Sequence, residues 1–116
     1  MTEYHYNSFK AAFSGLKLAY SEQPNIKIHL LISIIVLVLA FLFQVTSTDL
    51  IILILTITLG LVVEFINTAT EAICDLISVE WKKDIKTAKD LAAAMMLVVS
   101  IGSIIIGLLI FIPYIF

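Results

Sequence analysis

Three long apolar runs dominate the chain, and its polar positions collect before and between them. Crossing roughly 30 Å of hydrocarbon takes about 20 mostly apolar helical residues, and three stretches reach that length. Residues 26–45 read IKIHLLISIIVLVLAFLFQV, with ionisable groups only in the first turn. Residues 50–78 begin apolar and end in the polar-spotted segment EFINTATEAICD. Residues 91–116 carry no charge at all. The pattern predicts three transmembrane helices. The connection between the first two, QVTSTD, is so short that it makes them an antiparallel hairpin, and it offers Asp49 as an N-cap.

Ahead of the first span, residues 7–20 place Phe9, Phe13, Leu16 and Tyr20 at three- and four-residue spacing, with Lys10 and Lys17 elsewhere around the helix. This is the pattern of a helix lying in the membrane interface or of an amphipathic helix packed on protein. Pro24 is expected to end that segment and open the next helix, where proline is tolerated. The whole is expected to be an all-α membrane protein of one domain, residues 1–116.

Composition supports a lipid solvent. The chain has 116 residues, 61% of them hydrophobic and 14% charged, with a mean hydropathy of +1.11. A soluble domain this small has too little interior to hide that much apolar surface. The N-terminus lacks the basic start, apolar block and small-residue cleavage site of a signal peptide, so insertion is expected to rest on the spans themselves. A net charge of −2, with no basic run interleaved with aromatics, implies no nucleic-acid partner. Cys74 is the sole cysteine, which excludes an intramolecular disulfide and reads as a small hydrophobe.

All seven basic residues are lysines. Lys10, Lys17 and Lys27 precede or open the first span, and Lys82, Lys83, Lys86 and Lys89 lie between the second and third. By the positive-inside rule the N-terminus and second loop are cytoplasmic and the C-terminus lies outside.

The end of the second span poses a chemical question. At about 100° per residue, with Glu64 as zero, Asn67 falls near −60°, Thr68 near +40°, Glu71 near −20° and Asp75 near +20°. These polar groups share one side of the helix, and Phe65, Ile66, Ala69, Ala72, Ile73 and Leu76 fill the rest. Ionisable groups at membrane depth face protein or water and mark function; a solvated helix end is the plainer alternative, most apt for Asp75. Three acids on one face need a cation between them. Lys89, in KTAKDLAAA, is one candidate, level with the stripe if the helices are antiparallel; a divalent ion such as Mg²⁺ is the other.

The segments EFINTATEAICD and KTAKDLAAA resemble the prokaryotic integral-membrane diacylglycerol kinase and undecaprenol kinase family, whose pattern is E-x-x-N-[ST]-A-x-E-x-x-x-D and then A-K-D-x-[AG]-[AS]-A. The resemblance covers nearly the full length. It implies ATP- and Mg²⁺-dependent phosphorylation of a membrane lipid alcohol at the cytoplasmic face of the bacterial inner membrane, by a homotrimer. It implies Glu64 as general base toward the lipid hydroxyl, with Asn67 orienting the reacting groups. Glu71 and Glu22 would hold Mg²⁺. Lys89 and Asp90 would meet the nucleotide phosphates, Asp75 would lie at the nucleotide end, and Glu80, Trp81 and Lys82 would touch ATP. Lys10 and Lys17 stand near the family's basic residue in the N-terminal helix, which has no matched counterpart here. The run E-x-x-N-x-K-x-H, Glu22 to His29, resembles the Gram-positive branch, associated with undecaprenol; that acceptor is placed first and diacylglycerol second.

No G-x-x-x-x-G-K-[ST] loop is present, so P-loop phosphate binding is excluded. His29, a lone histidine opening the first span, reads as a hydrogen-bonded or headgroup-level residue rather than a ligand. Trp81 and Tyr114 read as aromatic-belt residues at the two faces. The competing function is a small proton- or ion-coupled transporter built on intramembrane Glu64. It leaves the clustering of Lys89, Asp90 and the loop lysines beside the stripe without a purpose.

Overall fold

A computed structural model describes residues 2–116, and among these every regular element is helical: α1 (Glu3–Glu22), α2 (Pro24–Leu42), α3 (Ser47–Ile77) and α4 (Lys83–Ile115). Helices α2, α3 and α4 are long and apolar enough to cross a membrane. The all-α architecture with an amphipathic leading helix and three spans is thus present, with shifted boundaries.

Helix α1 is longer than its amphipathic core. The Thr2 hydroxyl caps it by accepting the His5 N–H at 3.4 Å, and Pro24 ends it by taking the first position of α2. Phe9, Phe13, Leu16 and Tyr20 stay exposed in the single chain. The Lys27 ammonium lies 5.3 Å from the Tyr20 ring centre and clasps the elbow between α1 and α2.

The hairpin between α2 and α3 is made without glycine. Gln44 takes φ 51°, and the Val45 N–H reaches the Ala40 carbonyl at 3.2 Å. This is the left-handed residue and backward bond of a Schellman stop. Val45 then packs against the buried cluster of this end, formed by Ala40, Leu53 and Ile110.

The expected cap of α3 is corrected. Thr46, not Asp49, is the N-cap: its hydroxyl accepts the Asp49 N–H at 3.1 Å. A capping oxygen reaches the amide three residues on, and this puts Asp49 in the first turn, where a carboxylate suits the helix dipole. Asp49 instead accepts the Tyr114 hydroxyl at 3.0 Å, and the Tyr114 oxygen in turn accepts the Thr46 N–H at 3.2 Å. Tyr114 is therefore a strap between two helices.

Helix α4 starts eight residues before the uncharged run. Lys83, Lys86 and Lys89 are helical rather than in a loop. Asp84 in the first turn and the Lys86–Asp90 pair, 2.5 Å apart at i,i+4, favour helix there. Two side-chain hydrogen bonds fix the register of α4 on α3: Tyr114 to Asp49, and Lys89 to Asp75. They are 26 residues apart on α3 and 25 on α4, so the pair runs antiparallel in constant register.

Candidate active site

Counting from the tight hairpin places the site. Glu64 is 17 residues into α3, about 26 Å along it at 1.5 Å per residue. Pro24, the start of α2, is 18 residues from Leu42 on the other arm, about 27 Å from the same end. The Glu64 level is therefore where α2 begins and α1 turns away. Beyond it α3 and α4 continue without α2. Burial follows: Glu64 is only 4% exposed, Asn67 is half-buried, and Glu71 and Asp75 are exposed.

The polar groups are thus graded along one helix. Glu64 lies deepest, enclosed by protein. The Asn67 Oδ1 is buried and has no hydrogen-bond partner, a costly state for a carbonyl oxygen unless a donor or cation meets it. At the open end the Lys89 ammonium donates to Asp75 Oδ1 at 2.6 Å, joining the two polar motifs across the α3–α4 seam. This is the level pairing anticipated from the antiparallel arrangement. Cys74 is buried as a small apolar residue, as expected.

A cleft runs from this region under α1, lined by Phe13, Leu16, Lys17, Tyr20, Ile26, Leu30, Leu61 and Phe65, with a volume of about 430 Å³. It opens beside the Glu64 turn and is almost wholly apolar, with Lys17 as the cationic residue of its lining.

Other expected site residues are not drawn in. Glu22 ends α1, exposed, and no hydrogen bond or ion pair joins it to α3 among the described residues. Glu80, Trp81 and Lys82 form the exposed link between α3 and α4, where the Glu80 N–H donates to Ser78 Oγ at 3.1 Å. Asp90 is engaged by Lys86 of its own helix. Lys10 is exposed on α1.

Among the described residues no three His, Cys, Asp or Glu side chains gather into a metal-binding cluster. The orphaned Asn67 Oδ1 is a hard oxygen of the kind that a Mg²⁺ ion or its waters would meet.

One neighbour went unread in the sequence. The His29 imidazole stands against Gly60, on the Glu64 side of α3: a Cβ built on Gly60 would lie 2.5 Å from its Cε1 and 2.9 Å from its Nε2. The signal was present in the spacing, since His29 and Gly60 each lie 13 residues from the hairpin on their own arm.

Comparison with known proteins shows the family. Residues 10–111 match the family described as prokaryotic diacylglycerol kinase. A protein of Synechocystis sp. named diacylglycerol kinase is 32% identical over 101 residues, covering 86% of this chain. The aligned part is 58% of that relative's length.

Proposed function

The chain belongs to the prokaryotic diacylglycerol kinase family, and on that premise we propose that it transfers the γ-phosphoryl group of ATP to the hydroxyl of a membrane lipid alcohol. The observation that carries this reading is the graded polar edge: buried Glu64 at one end and the 2.6 Å Asp75–Lys89 bond at the other. A lipid hydroxyl must be reached from the membrane and a triphosphate from water. A site with one enclosed and one open end meets both needs.

Phosphoryl transfer asks mainly for positioning and for cations around the developing charge. The Glu64 carboxylate takes the proton from the lipid hydroxyl as its oxygen bonds to the γ-phosphorus. The bond from that phosphorus to the β–γ bridging oxygen breaks, and ADP leaves. Asn67, one turn toward the open end, orients the reacting oxygens. The Lys89 ammonium, held by Asp75, faces the phosphates, with Asp90 beside it and the exposed Glu80–Lys82 link at the nucleotide's edge. Glu71 and Glu22 would hold Mg²⁺, which when bound neutralises phosphate charge. Lys17 in the apolar cleft, and Lys10 further along α1, suit the lipid headgroup.

Two acceptors fit. The Glu22–His29 run favours undecaprenol, and the relative's name favours diacylglycerol. Lysine placement supports a cytoplasmic N-terminus, an outer C-terminus and an inner-membrane site with ATP on the cytoplasmic side. Assembly as a homotrimer belongs to the same reading, and an open apolar groove of about 610 Å³ between α3 and α4 offers surface for a partner. The transport reading has no observation in its favour beyond Glu64 itself.

The test is labelled ATP with Mg²⁺ and mixed micelles holding undecaprenol and diacylglycerol at equal surface fraction. Label on a lipid supports the kinase, and its distribution names the acceptor. Label on neither, with proton flux in vesicles, would replace it with the transporter.

A further inference from the structure

Gly60 and His29 form a notch-and-ring contact that the reaction outlined above does not use. The imidazole edge occupies the space a side chain at position 60 would fill, since a Cβ there would be 2.5 Å from Cε1 and 2.9 Å from Nε2. Only a hydrogen at this position lets the ring in. The ring is not held there by its own bonds: among the described residues neither ring nitrogen has a hydrogen-bond partner, while the His29 carbonyl accepts the buried Ser33 hydroxyl at 2.8 Å and steadies the backbone.

The notch lies one turn below the proposed base. Gly60 and Glu64 are i and i+4 on α3, the spacing of stacked neighbours on one helix face, about 6 Å apart. Helical side chains lean back over the turn that precedes them, so the Glu64 side chain is directed over Gly60, toward the imidazole. The buried carboxylate and the imidazole thus border neighbouring turns of α3, and among the described residues no hydrogen bond or ion pair joins them. His29 and Gly60 count the same way from the hairpin, so the ring's place one turn from Glu64 follows from the antiparallel pairing itself.

We propose that His29 is an acceptor-positioning residue: its imidazole, seated in the Gly60 notch, donates a ring N–H to the hydroxyl oxygen of the lipid alcohol while that hydroxyl donates to Glu64. An alcohol oxygen has one hydrogen and two lone pairs, so this leaves one lone pair for the phosphorus. The inference rests on the lipid-kinase reading. It goes beyond it by assigning recognition of the acceptor hydroxyl to α2.

The experiment compares initial rates in undecaprenol and diacylglycerol micelles for the full chain, four single variants and the Gly60→Ala/His29→Ala double variant, with acceptor KM and ATP KM measured separately. His29→Phe keeps the ring's bulk and removes its hydrogen bond. It should raise acceptor KM about tenfold, the worth of one such bond, and leave ATP KM within about twofold. His29→Gln, which keeps a donor at a similar reach, should recover most of that loss. Gly60→Ala should act like His29→Phe by expelling the ring, yet add nothing once His29→Ala has emptied the space, because changes to one contact are not additive. Thermal unfolding of each variant in the same detergent separates binding from folding. If the unaltered chain phosphorylates neither lipid, the kinase reading and this proposal fall together. If it is active and His29→Phe shifts both KM values equally, or neither, the proposal alone falls. Additive effects of Gly60→Ala and His29→Ala would likewise overturn it.

Discussion

Replacing Glu64 by glutamine separates its proposed chemistry from its place in the fold. The side chain is 4% exposed, so the amide must fit the same space, and it does so with nearly unchanged volume. An acid at the centre of a spanning helix costs about 2.5–3.5 kcal/mol on insertion scales. Glu64 lies about 26 Å from the Ser47 end of α3, near one edge of a 30 Å hydrocarbon layer, so only a fraction of that cost, about 1 kcal/mol, is relieved by removing the charge. Stability should hold or rise. Turnover should move the other way: a positioned general base contributes about 10²–10⁴-fold, or roughly 3–5 kcal/mol of barrier. The assay pairs labelled phosphate transfer to lipid with thermal unfolding and nucleotide binding in one detergent. The expected variant is inactive by at least about a hundredfold, unfolds no earlier than the parent and still binds Mg-ATP. Glu71→Gln should instead weaken nucleotide binding. A Glu64→Gln protein within tenfold of parental turnover, or one that unfolds earlier and has lost nucleotide binding, would refute the assignment.

Further outcomes follow from the contacts. Lys89→Ala breaks a bond whose side chains are 39% and 53% exposed; such a pair contributes about 0.2–1 kcal/mol, so unfolding should barely shift while ATP KM rises steeply. A stability loss above about 2 kcal/mol would show that the pair holds the fold instead. Tyr114→Phe removes hydrogen bonds to both Asp49 and the Thr46 amide, and should cost about 1–2 kcal/mol in thermal unfolding with kinase turnover unchanged, since that strap lies at the other end of α3. Gln44→Gly relieves a left-handed backbone at φ 51° and should raise stability by about 1 kcal/mol; an earlier unfolding transition would argue that the glutamine side chain matters there.

Much of the frame could be read along the chain because lipid imposes a plain length rule. An apolar run near 20 residues has few alternatives to a spanning helix, and six residues between two such runs force a hairpin. Boundaries are less legible, since helices continue wherever the backbone can stay satisfied. The segment Lys83–Asp90 is polar and yet helical, because its i,i+4 pairing and first-turn acid favour helix where hydropathy gives no sign of it. Thr46 displaced Asp49 as cap for a similar local reason: two capping residues stood three apart, and the tyrosine from α4 took the second.

From sequence alone came the three spans, the lysine asymmetry and the arc on which Glu64, Asn67, Glu71 and Asp75 share a helical side, since period and hydropathy are properties of single segments. Tertiary structure alone decided which of those groups is enclosed. Glu64 and Asp75 differ in burial because α2 starts at one level and not the other, which is a matter of how long each neighbouring helix is. The same holds for Lys89 reaching Asp75 and for His29 entering the gap at Gly60. Contacts between helices depend on register, and register is set where chains pack, not where they are written.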